Sequence, residues 1–288
     1  MNILIIGASG LVGGNCLKYL SNKTELNVTG TYFSYKVNNT VYFDTLKLNN
    51  PNNFDIEKFN PDVIIHCGAL TNVDYCEDHQ EESHQKTVVS TQNAIGLSKK
   101  HDAKMIYLST DYVFDGTEGP YDENAKVNPI SMYGKHKLEA ETIVLNELIG
   151  SIVIRITNVY GDEERKKNFI ARIVDKIKEG EELDLKLPYD QYATPVNAYD
   201  VARAIYLLIK DNKHGIYNIA SSDYVNRCQL VHRIFNHFPE AKYNLVPVST
   251  KELNQPAPRP LQGGLKTAKF LSQYPDFQFS NVDDYLKI

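Results

Sequence analysis

The first half of the chain alternates short apolar runs with longer segments of helical periodicity. Uninterrupted apolar runs of about 4–8 residues are typical of strands that are buried on both faces of a parallel sheet. The predicted strands are residues 2–6, 26–33, 41–43, 62–66, 105–109 and 151–156. The predicted helices are residues 11–20, 73–100 with an interruption over 78–85, and 131–148. Strands that alternate with helices in this way predict an α/β protein with a doubly wound parallel sheet.

The regular alternation of strands and helices ends near residue 161. The later helical patterns cover residues 169–178, 197–210 and 225–238, the strand patterns cover 183–187 and 215–219, and a proline-rich turn covers 256–260. We predict a dinucleotide-binding domain over residues 1–160, to which residues 190–220 return. Residues 161–189 and 221–288 are then expected to form a smaller α/β substrate-binding lobe at the C-terminal side.

The composition argues against several classes of function. The chain has 288 residues and a formal net charge of −5, so no basic surface for nucleic acid is expected. No run approaches the roughly 18 apolar residues of a membrane span, and the N-terminus shows no signal-peptide pattern. The four cysteines, Cys16, Cys67, Cys76 and Cys228, show neither a CxxC nor a Cys/His ligand spacing. We therefore expect a cytoplasmic protein with reduced thiols, without a metal site and without nucleic-acid or membrane partners.

A glycine-rich turn follows the first predicted strand directly and leads into the first predicted helix. In such a turn the first glycine permits the sharp bend, the second lets the backbone approach a diphosphate, and the third lets the helix pack closely on the strand. The start of the helix supplies amide donors and a positive dipole end for the same anion. This context predicts a dinucleotide site of the Rossmann type. Its predicted cofactor-binding residues are Gly7, Ser9, Gly10, Leu11, Val12 and Gly13.

The choice of cofactor depends on the residues after the second predicted strand. In NAD-binding proteins an acid about 20 residues after the glycine turn takes the ribose 2′-hydroxyl, but residues 31–36 contain no acid. Ser34 and Lys36 can instead meet a 2′-phosphate, which favours NADP(H) over NAD(H). Alternatively, Lys36 is a solvent-exposed loop residue that does not contact the cofactor, and in that case NAD(H) is also possible. Further predicted cofactor-binding residues are Asp44, toward the adenine amino group, and the small residues Cys67, Gly68 and Ala69.

A second group of polar residues follows the fifth predicted strand. Ser109 and Thr110 stand where that strand ends, and the next predicted helix carries Tyr133 and Lys137. A spacing of four residues places the phenol and the ammonium one turn apart on the same helix face. The hydroxyls can hydrogen-bond a carbonyl oxygen, the phenol can protonate it, and the ammonium is expected to lower the pKa of the phenol. A Tyr-x-x-x-Lys spacing alone is common on surfaces, so its place after a strand that ends in hydroxyls carries this prediction.

Several motifs occur together in this chain. Three of them are Gly7-x-x-Gly10-x-x-Gly13, Tyr133-x-x-x-Lys137 and Arg155-x-x-Asn158-Val-Tyr-Gly161. Four more are Ser109-Thr-Asp-Tyr-Val-Phe114, Thr71-Asn-Val-Asp74, Asp190-Gln191 and Arg259-Pro260. The first set resembles the extended short-chain dehydrogenases/reductases in general. The second set resembles their dTDP-4-dehydrorhamnose reductase branch, and the resemblance covers nearly the whole chain.

The resemblance implies an activity and a set of site residues. It implies an NAD(P)-dependent oxidoreductase that uses NADPH to reduce the 4-keto group of a nucleotide-linked deoxysugar, in nucleotide-sugar and cell-surface polysaccharide biosynthesis. The implied catalytic residues are Thr110, Tyr133 and Lys137, with Ser109 beside them. Thr71, Tyr133 and Lys137 are implied to contact the cofactor. The implied substrate-binding residues are Val73, Asp74, Asp111, Asn158 and Arg259. A homodimer is left open as the oligomeric state.

Two departures from the reductases leave the sugar open, and two other functions compete. Asn158 stands where the reductases usually carry Trp, and Thr87 stands where they usually carry Asn. A nucleotide-sugar epimerase of the same superfamily is the first alternative, whereas a dehydratase is disfavoured because Asp111 is followed by Tyr112 rather than by a second acid. A non-catalytic NADP-binding regulatory subunit, similar to the β subunit of methionine adenosyltransferase, is the second. The presence of the complete catalytic trio favours the reductase.

Overall fold

A seven-stranded parallel sheet forms the centre of the protein, as seen in a computed structural model that describes residues 1–287. In chain order the strands of the protein are β1 (Asn2–Ile6), β2 (Asn27–Tyr32), β3 (Thr40–Tyr42), β4 (Val63–His66), β5 (Lys104–Thr110), β6 (Ile152–Ile156), β7 (Leu183–Pro188), β8 (Tyr192–Ala193), β9 (Gly215–Asn218), β10 (Val225–Asn226) and β11 (Tyr243–Val248). The central sheet has the order β3-β2-β1-β4-β5-β6-β9. Every neighbouring pair in it runs parallel. The predicted doubly wound parallel sheet is confirmed.

Helices connect these strands and cover both faces of the sheet. They are α1 (Leu11–Leu20), α2 (Ile56–Phe59), α3 (Val73–Asp78), α4 (Gln80–His84), α5 (Ser90–His101), α6 (Met132–Glu147), α7 (Phe169–Lys178), α8 (Ala198–Lys210), α9 (Arg227–Asn236), α10 (Ala268–Gln273) and α11 (Val282–Leu286). A π-helical turn, Gln85–Val89, joins α4 to α5, and 3₁₀ turns form at Asp111–Val113 and Thr250–Leu253.

Alternate residues of β1 face two separate hydrophobic cores. Ile3 and Ile5 are fully buried in the core that α1 and α8 cover. Leu4 is fully buried in the core on the opposite face, which α5 and α6 cover. Burial of an aliphatic side chain of this size stabilises the fold by about 1.5–3 kcal/mol. The uninterrupted apolar sequence of the strand thus reflects burial on both sides.

The order of the strands reverses at β1 and thereby creates a crevice. The chain passes from β1 to β2 and β3 on one side, and then returns to place β4 on the other side of β1. Ligands of open α/β sheets bind at such a point, outside the carboxyl ends of the strands. The candidate site described below lies there.

A third hydrophobic core belongs to the later part of the chain. It gathers side chains from α7, β7, α9 and α11, and among its most buried members are Ile170, Leu183 and Ile234. β7 pairs with β11, and β8 pairs with β10, in two further small sheets. Of the segment 190–220, α8 packs on α1 and β9 pairs with β6 in the central sheet, whereas β8 does not join that sheet. The division into two domains stays a prediction.

Some elements differ from the sequence-based expectation. The predicted helix over residues 73–100 is divided into α3, α4, the π-helical turn and α5. The predicted helix over 225–238 begins as the short strand β10 before α9 starts at Arg227. β11 was not predicted, since its sequence, YNLVPV, shows no regular alternation and contains Pro247, which is unusual inside a strand.

Candidate active site

One cleft of 660 Å³ runs along the carboxyl ends of the central strands. The glycine turn after β1, the end of β5, the start of α6 and the loop after β6 all contribute to its walls. Of the residues predicted from sequence, it is lined by Gly7, Ser9, Gly10, Leu11, Val12, Gly13, Ser34, Asp44, Cys67, Gly68, Ala69, Thr71, Val73, Ser109, Thr110, Asp111, Tyr133, Lys137 and Asn158. The other three predicted residues, Lys36, Asp74 and Arg259, are outside this lining.

The glycine turn has the geometry of an anion site. Gly7 has a φ of +84°, which favours glycine, and Gly10 is the N-cap of α1 without a side-chain cap. A Cβ added to Gly10 would lie 3.6 Å from the Gly7 carbonyl oxygen, an ordinary contact. A Cβ on Gly13 would lie 2.4 Å from the same oxygen, so Gly13 is required for packing of α1 on β1. The uncapped start of α1 and the absence of an acid from its first turn fit a dinucleotide diphosphate.

Tyr133 is positioned by a close contact between α6 and the turn after β5. Ser131 caps α6 by accepting a hydrogen bond from the Gly134 amide at 3.2 Å. Gly134 leaves no room for a side chain, because a Cβ there would lie 2.3 Å from the carbonyl oxygen of Tyr112. The rings of Tyr112 and Tyr133 meet edge to face, with centroids 5.5 Å apart. This contact brings the phenol of Tyr133 beside the Thr110 hydroxyl.

The phenol of Tyr133 is held in its protonated form. Burial raises its pKa, and the hydrogen bond with Thr110 opposes this rise without reversing it. We expected from the sequence that Lys137 would lower the pKa of Tyr133. That expectation is wrong, because desolvation is the largest effect on this phenol. A protonated phenol at neutral pH suits a proton donor.

Lys137 lies beneath the cleft with its charge largely desolvated. Its side chain is 4% exposed, and its ammonium group donates a hydrogen bond to the carbonyl oxygen of Leu108. The same nitrogen lies 4.2 Å from the centroid of the Tyr107 ring. Burial lowers the pKa of Lys137 to about 7, against the opposing effects of Cys67 and Glu141.

Ser109 does not have the role expected of its hydroxyl. Its Oγ donates to Glu141 Oε2 at 2.7 Å, in a buried network that also contains Arg155. A serine hydroxyl has one hydrogen to donate, and here that hydrogen goes to Glu141. Ser109 therefore lines the cleft but does not offer its donor to a substrate oxygen. Sequence reasoning missed Glu141 because its contact with Ser109 requires α6 to lie against β5.

Asp111 ties together three parts of the fold. Its carboxylate accepts hydrogen bonds from the hydroxyls of Thr110 at 3.3 Å and Thr157 at 2.7 Å, and from the Gly264 amide at 3.1 Å. Burial raises the pKa of Asp111, and these hydrogen bonds oppose the rise. The sequence predicted a substrate contact for this carboxylate. The structure shows instead that both of its oxygens accept hydrogen bonds from protein groups.

The segment 260–266 closes the wall of the site behind Asp111. Its Gln262 amide donates to the Gly116 carbonyl at 2.8 Å, and its Leu261 carbonyl accepts from the Tyr192 amide at 2.6 Å. The fit is tight, since a Cβ on Gly119 would lie 2.2 Å from the Gln262 carbonyl oxygen. This late segment therefore packs between the loop after β5 and β8.

Asn158, in the loop after β6, and Arg227, at the start of α9, both line the cleft. Asn158 has a φ of +40°, a left-handed conformation that asparagine tolerates better than most residues. Its Oδ1 accepts a hydrogen bond from Arg227 Nη2 at 3.0 Å. Trp, which the resemblance led us to expect at this position, would be strained by that backbone. Arg227, the first residue of α9, lines the cleft and was missed because no sequence motif surrounds it.

Asp74 and Arg259 contact each other rather than the cleft. Arg259 Nη2 lies 2.7 Å from Asp74 Oδ2, and the Ala257 amide donates to Asp74 Oδ1 at 3.2 Å. The pair fixes the proline-rich turn to the start of α3. The predicted role of these two residues in substrate binding has no support from the lining of the cleft.

The opposite end of the cleft lies beside β2 and β3. Asp44 is buried, with its Oδ1 accepting from the Leu46 amide at 2.9 Å. Burial raises the pKa of the Cys67 thiol to about 12, which agrees with a lining residue rather than a nucleophile. Lys36 is exposed. Arg165, from the loop after β6, brings a positive charge close to Tyr35 at this end, and no motif pointed to it. Lys86 and Lys167 also line the cleft.

Thr87 holds the loop after β4 in place from the helix behind it. It lies in the π-helical turn, and its Oγ1 accepts a hydrogen bond from the Leu70 amide at 3.4 Å. Its carbonyl oxygen accepts from Thr91 Oγ1 at 2.6 Å. A threonine at this position thus contacts the backbone next to the cofactor-lining residues.

Comparison with known families accounts for nearly the entire chain. The family described as the RmlD substrate binding domain matches residues 1–281. The chain belongs to this family. The predicted relationship to the dTDP-4-dehydrorhamnose reductase type is thereby confirmed.

Two kinds of protein are among the relatives of this chain. A dTDP-4-dehydrorhamnose reductase from Clostridium acetobutylicum is 28% identical, with a TM-score of 0.81 over 96% of this chain and 93% of that chain. The same enzyme from Bacillus anthracis, solved in complex with NADP, is 25% identical, with a TM-score of 0.83 over 99% and 97% of the two chains. Methionine adenosyltransferase 2 subunit beta from Xenopus tropicalis is 29% identical over 272 residues, which are 92% of this chain and 80% of that protein.

Within residues 1–287, no helix combines the length and the apolar character that crossing a bilayer requires.

Proposed function

We propose that this protein uses NADPH to reduce the 4-keto group of a nucleotide-linked deoxysugar. Its family membership and its likeness to reductases of this type support the proposal. The observation that carries it is the convergence of Thr110 and Tyr133 with the glycine turn in one cleft. A donor pair for a carbonyl oxygen and an anion site for a dinucleotide are the two parts that such a reaction needs.

The chemistry divides between the cofactor and the side chains. When bound, NADPH supplies the hydride to the carbonyl carbon. Tyr133 gives its proton to the carbonyl oxygen, because its raised pKa keeps the phenol protonated until negative charge develops on that oxygen. The Thr110 hydroxyl makes a long bond of 3.3 Å to Asp111, so its hydrogen can turn to the same oxygen.

Lys137 and the glycine turn would hold the cofactor in this scheme. The Lys137 ammonium, buried next to the cleft, can donate to a ribose hydroxyl above it, since an ammonium has three donors and one is used by Leu108. The start of α1 would take the diphosphate through its free amide groups and its dipole. Thr71 and the small residues Cys67, Gly68 and Ala69 form the adjacent wall.

The substrate would enter on the side of Asn158 and Arg227. Arg227 Nη2 donates a hydrogen bond to Asn158 Oδ1. The side-chain NH₂ of Asn158 and the other guanidinium N–H groups of Arg227 can therefore donate to a substrate. An arginine and an amide side by side suit the diphosphate of a nucleotide sugar. Val73 also lines the cleft and offers it an apolar side chain.

The decisive experiment is a substrate panel. Purified protein with NADPH is mixed with nucleotide-linked 4-keto-6-deoxyhexoses that differ in base and in sugar stereochemistry, and absorbance is followed at the nicotinamide band. We expect oxidation of NADPH with at least one member and loss of it in Tyr133→Phe. Failure of the whole panel, with NADPH still bound, would contradict a 4-ketoreductase.

A regulatory binding subunit is the second candidate, because methionine adenosyltransferase 2 subunit beta is among the relatives. In that case NADPH binds, no ketosugar is reduced, and Tyr133→Phe changes no measurable property except local packing. An epimerase of the same superfamily would convert a nucleotide sugar without net consumption of NADPH. Product analysis by chromatography separates these outcomes.

The remaining expectations belong to the same proposal. The dinucleotide domain is proposed to be residues 1–160 with 190–220, and the substrate lobe residues 161–189 and 221–288. The four cysteines are free, which agrees with the proposed cytoplasmic location. A homodimer stays a prediction, which light scattering coupled to size-exclusion chromatography checks.

A further inference from the structure

A positively charged side chain that was not predicted from the sequence, Arg165, lines the cleft near the end of β2. Arg165 belongs to the loop between β6 and α7, yet it lines the same cleft as Phe33 and Ser34. Its guanidinium carbon lies 5.3 Å from the centroid of the Tyr35 ring. The loop after β2 and the loop after β6 therefore meet over this end of the cleft.

The loop that carries Arg165 is well anchored. Asn15 Nδ2, on α1, donates to the Asp162 carbonyl at 2.9 Å. The Glu163 carboxylate accepts from the amides of Lys167 and Asn168 at 2.8 and 3.2 Å. These contacts tie the loop to α1 and to the start of α7, so the backbone is held on both sides of Arg165.

Arg165 itself lacks a protein partner of opposite charge. Its Nε is buried without a hydrogen-bond partner, and within residues 1–287 no carboxylate oxygen comes within 4.0 Å of its guanidinium nitrogens. The neighbouring Lys166 differs, since it pairs with Asp175 at 3.2 Å. A buried guanidinium donor without a partner is costly. Such a donor beside a ligand cleft points to an anion that the ligand brings.

The position of Arg165 identifies that anion. The end of β2 is where Rossmann-type proteins contact the adenosine ribose, and an arginine nearby accommodates the 2′-phosphate of NADP. Ser34, at this end, offers a hydroxyl to the same group, whereas Lys36 is exposed and outside the lining. We propose that Arg165, rather than Lys36, binds the 2′-phosphate of NADP(H). The preference for NADP(H) is then set by the loop after β6, which contacts α1.

This inference rests only on the cofactor part of the proposed function. If NADPH binds but no ketosugar is reduced, the proposed reaction fails and the role of Arg165 stands. If the protein binds NADPH and NADH equally well, the role of Arg165 fails and the reductase proposal stands. The two proposals can therefore be rejected independently.

The test uses two probes that differ by one phosphate, 2′,5′-ADP and 5′-AMP. Their affinities for the parent protein, for Arg165→Gln and for Lys36→Gln are measured by calorimetry, and thermal unfolding checks that each variant is folded. We expect Arg165→Gln to weaken 2′,5′-ADP by about 10- to 100-fold, the range for loss of a charge-assisted contact. Its affinity for 5′-AMP should stay within about threefold of the parent, because 5′-AMP lacks the 2′-phosphate that the guanidinium would contact. Lys36→Gln should leave both affinities within the same range.

Three outcomes would overturn the proposal. Equal weakening of both probes by Arg165→Gln would show that the side chain only covers the adenosine. An unchanged affinity for 2′,5′-ADP would exclude a contact with the 2′-phosphate. A selective loss in Lys36→Gln instead would return the role to the loop after β2. A parallel titration by nicotinamide fluorescence, with NADPH and NADH, should reproduce the selective loss in Arg165→Gln.

Discussion

Glu141 receives the guanidinium of Arg155 in a buried contact, with Arg155 Nε 3.2 Å from Glu141 Oε2. Both side chains are 3% exposed, and the Ser109 hydroxyl donates to the same carboxylate. Glu141→Ala leaves the Arg155 charge buried without a partner. We expect it to lower the free energy of unfolding by about 3–5 kcal/mol. Urea denaturation, followed by circular dichroism, measures this loss.

A second glutamate on α6 provides the matched control. Glu147 Oε2 lies 2.7 Å from Lys99 Nζ, and the two side chains are 46% and 51% exposed. Because water screens such a pair, Glu147→Ala should change the free energy of unfolding by about 0–1 kcal/mol. Equal losses in the two variants would show that burial does not govern the contribution of the Glu141–Arg155 pair.

Tyr133→Phe should remove turnover and preserve cofactor binding. The ring packing against Tyr112 is retained, but the proton donor is lost, which typically lowers kcat by about 10²–10⁴-fold. Stopped-flow rates of NADPH oxidation and a fluorescence titration measure the two properties. Tyr112→Phe, which removes a hydroxyl from the same cleft, should keep kcat within about tenfold of the parent. A larger loss in Tyr112→Phe than in Tyr133→Phe would move the proton donor to Tyr112.

Lys137→Met should stabilise the protein in a pH-dependent way. The pKa of Lys137 is lowered to about 7 in the folded chain, whereas an unfolded lysine titrates near about 10.4. Below about pH 7 both states carry the charge, so the cost of burying it is fully present. Between about pH 7 and 10.4 only the unfolded state keeps the proton, so folding of the parent becomes more favourable as pH rises.

The variant has no such charge to bury. We expect its advantage in the free energy of unfolding to be on the order of 3 kcal/mol at pH 6 and to decline steadily toward pH 10. Urea denaturation at pH 6, 8 and 9.5 tests this. A difference between variant and parent that does not change with pH would contradict a lowered pKa for Lys137.

Substitutions at two positions of the glycine turn should have different effects, one on NADPH binding and the other on stability. Gly10→Val should retain thermal stability and lose NADPH affinity, because its Cβ meets only an ordinary contact at 3.6 Å while its methyl groups stand where a diphosphate approaches. Gly13→Ala should lower the melting temperature, because its Cβ would lie 2.4 Å from the Gly7 carbonyl oxygen. Differential scanning fluorimetry, with and without NADPH, measures both effects. Unchanged NADPH affinity in Gly10→Val would exclude the turn as the diphosphate site.

The fold was predictable because its signals are local. Buried strands can be recognised in the sequence as short apolar runs, and the turn of Gly7, Gly10 and Gly13 follows β1 without interruption. The parallel direction of the central strands follows from the alternation of strand and helix. The later elements β8, β10 and β11 carry no such signal, because they are short or partly exposed and their pairing depends on distant segments.

The site was predictable in its positions and less so in its contacts. Tyr133 and Lys137 are one turn apart on a helix, so their common face follows from spacing alone. The partner of Ser109 and the partner of Arg259 depend on how α6 and the proline-rich turn pack, which no local pattern reveals. Arg165 and Arg227 were not predicted to line the cleft for the same reason. Each belongs to a segment that is far in sequence from the motifs that identify the site.

The hydrogen bond from Gly264 to Asp111 joins residues that are 153 positions apart, and this imposes an order on assembly during synthesis. A chain that has emerged from the ribosome as far as Asn218 already contains every strand of the central sheet and the whole glycine turn. The segment 260–266 is still missing at that stage, so Asp111 lacks its amide partner and the wall behind it is open. The cofactor half of the cleft can therefore fold early. The half that would receive a substrate is completed only after the segment 260–266 has been synthesised.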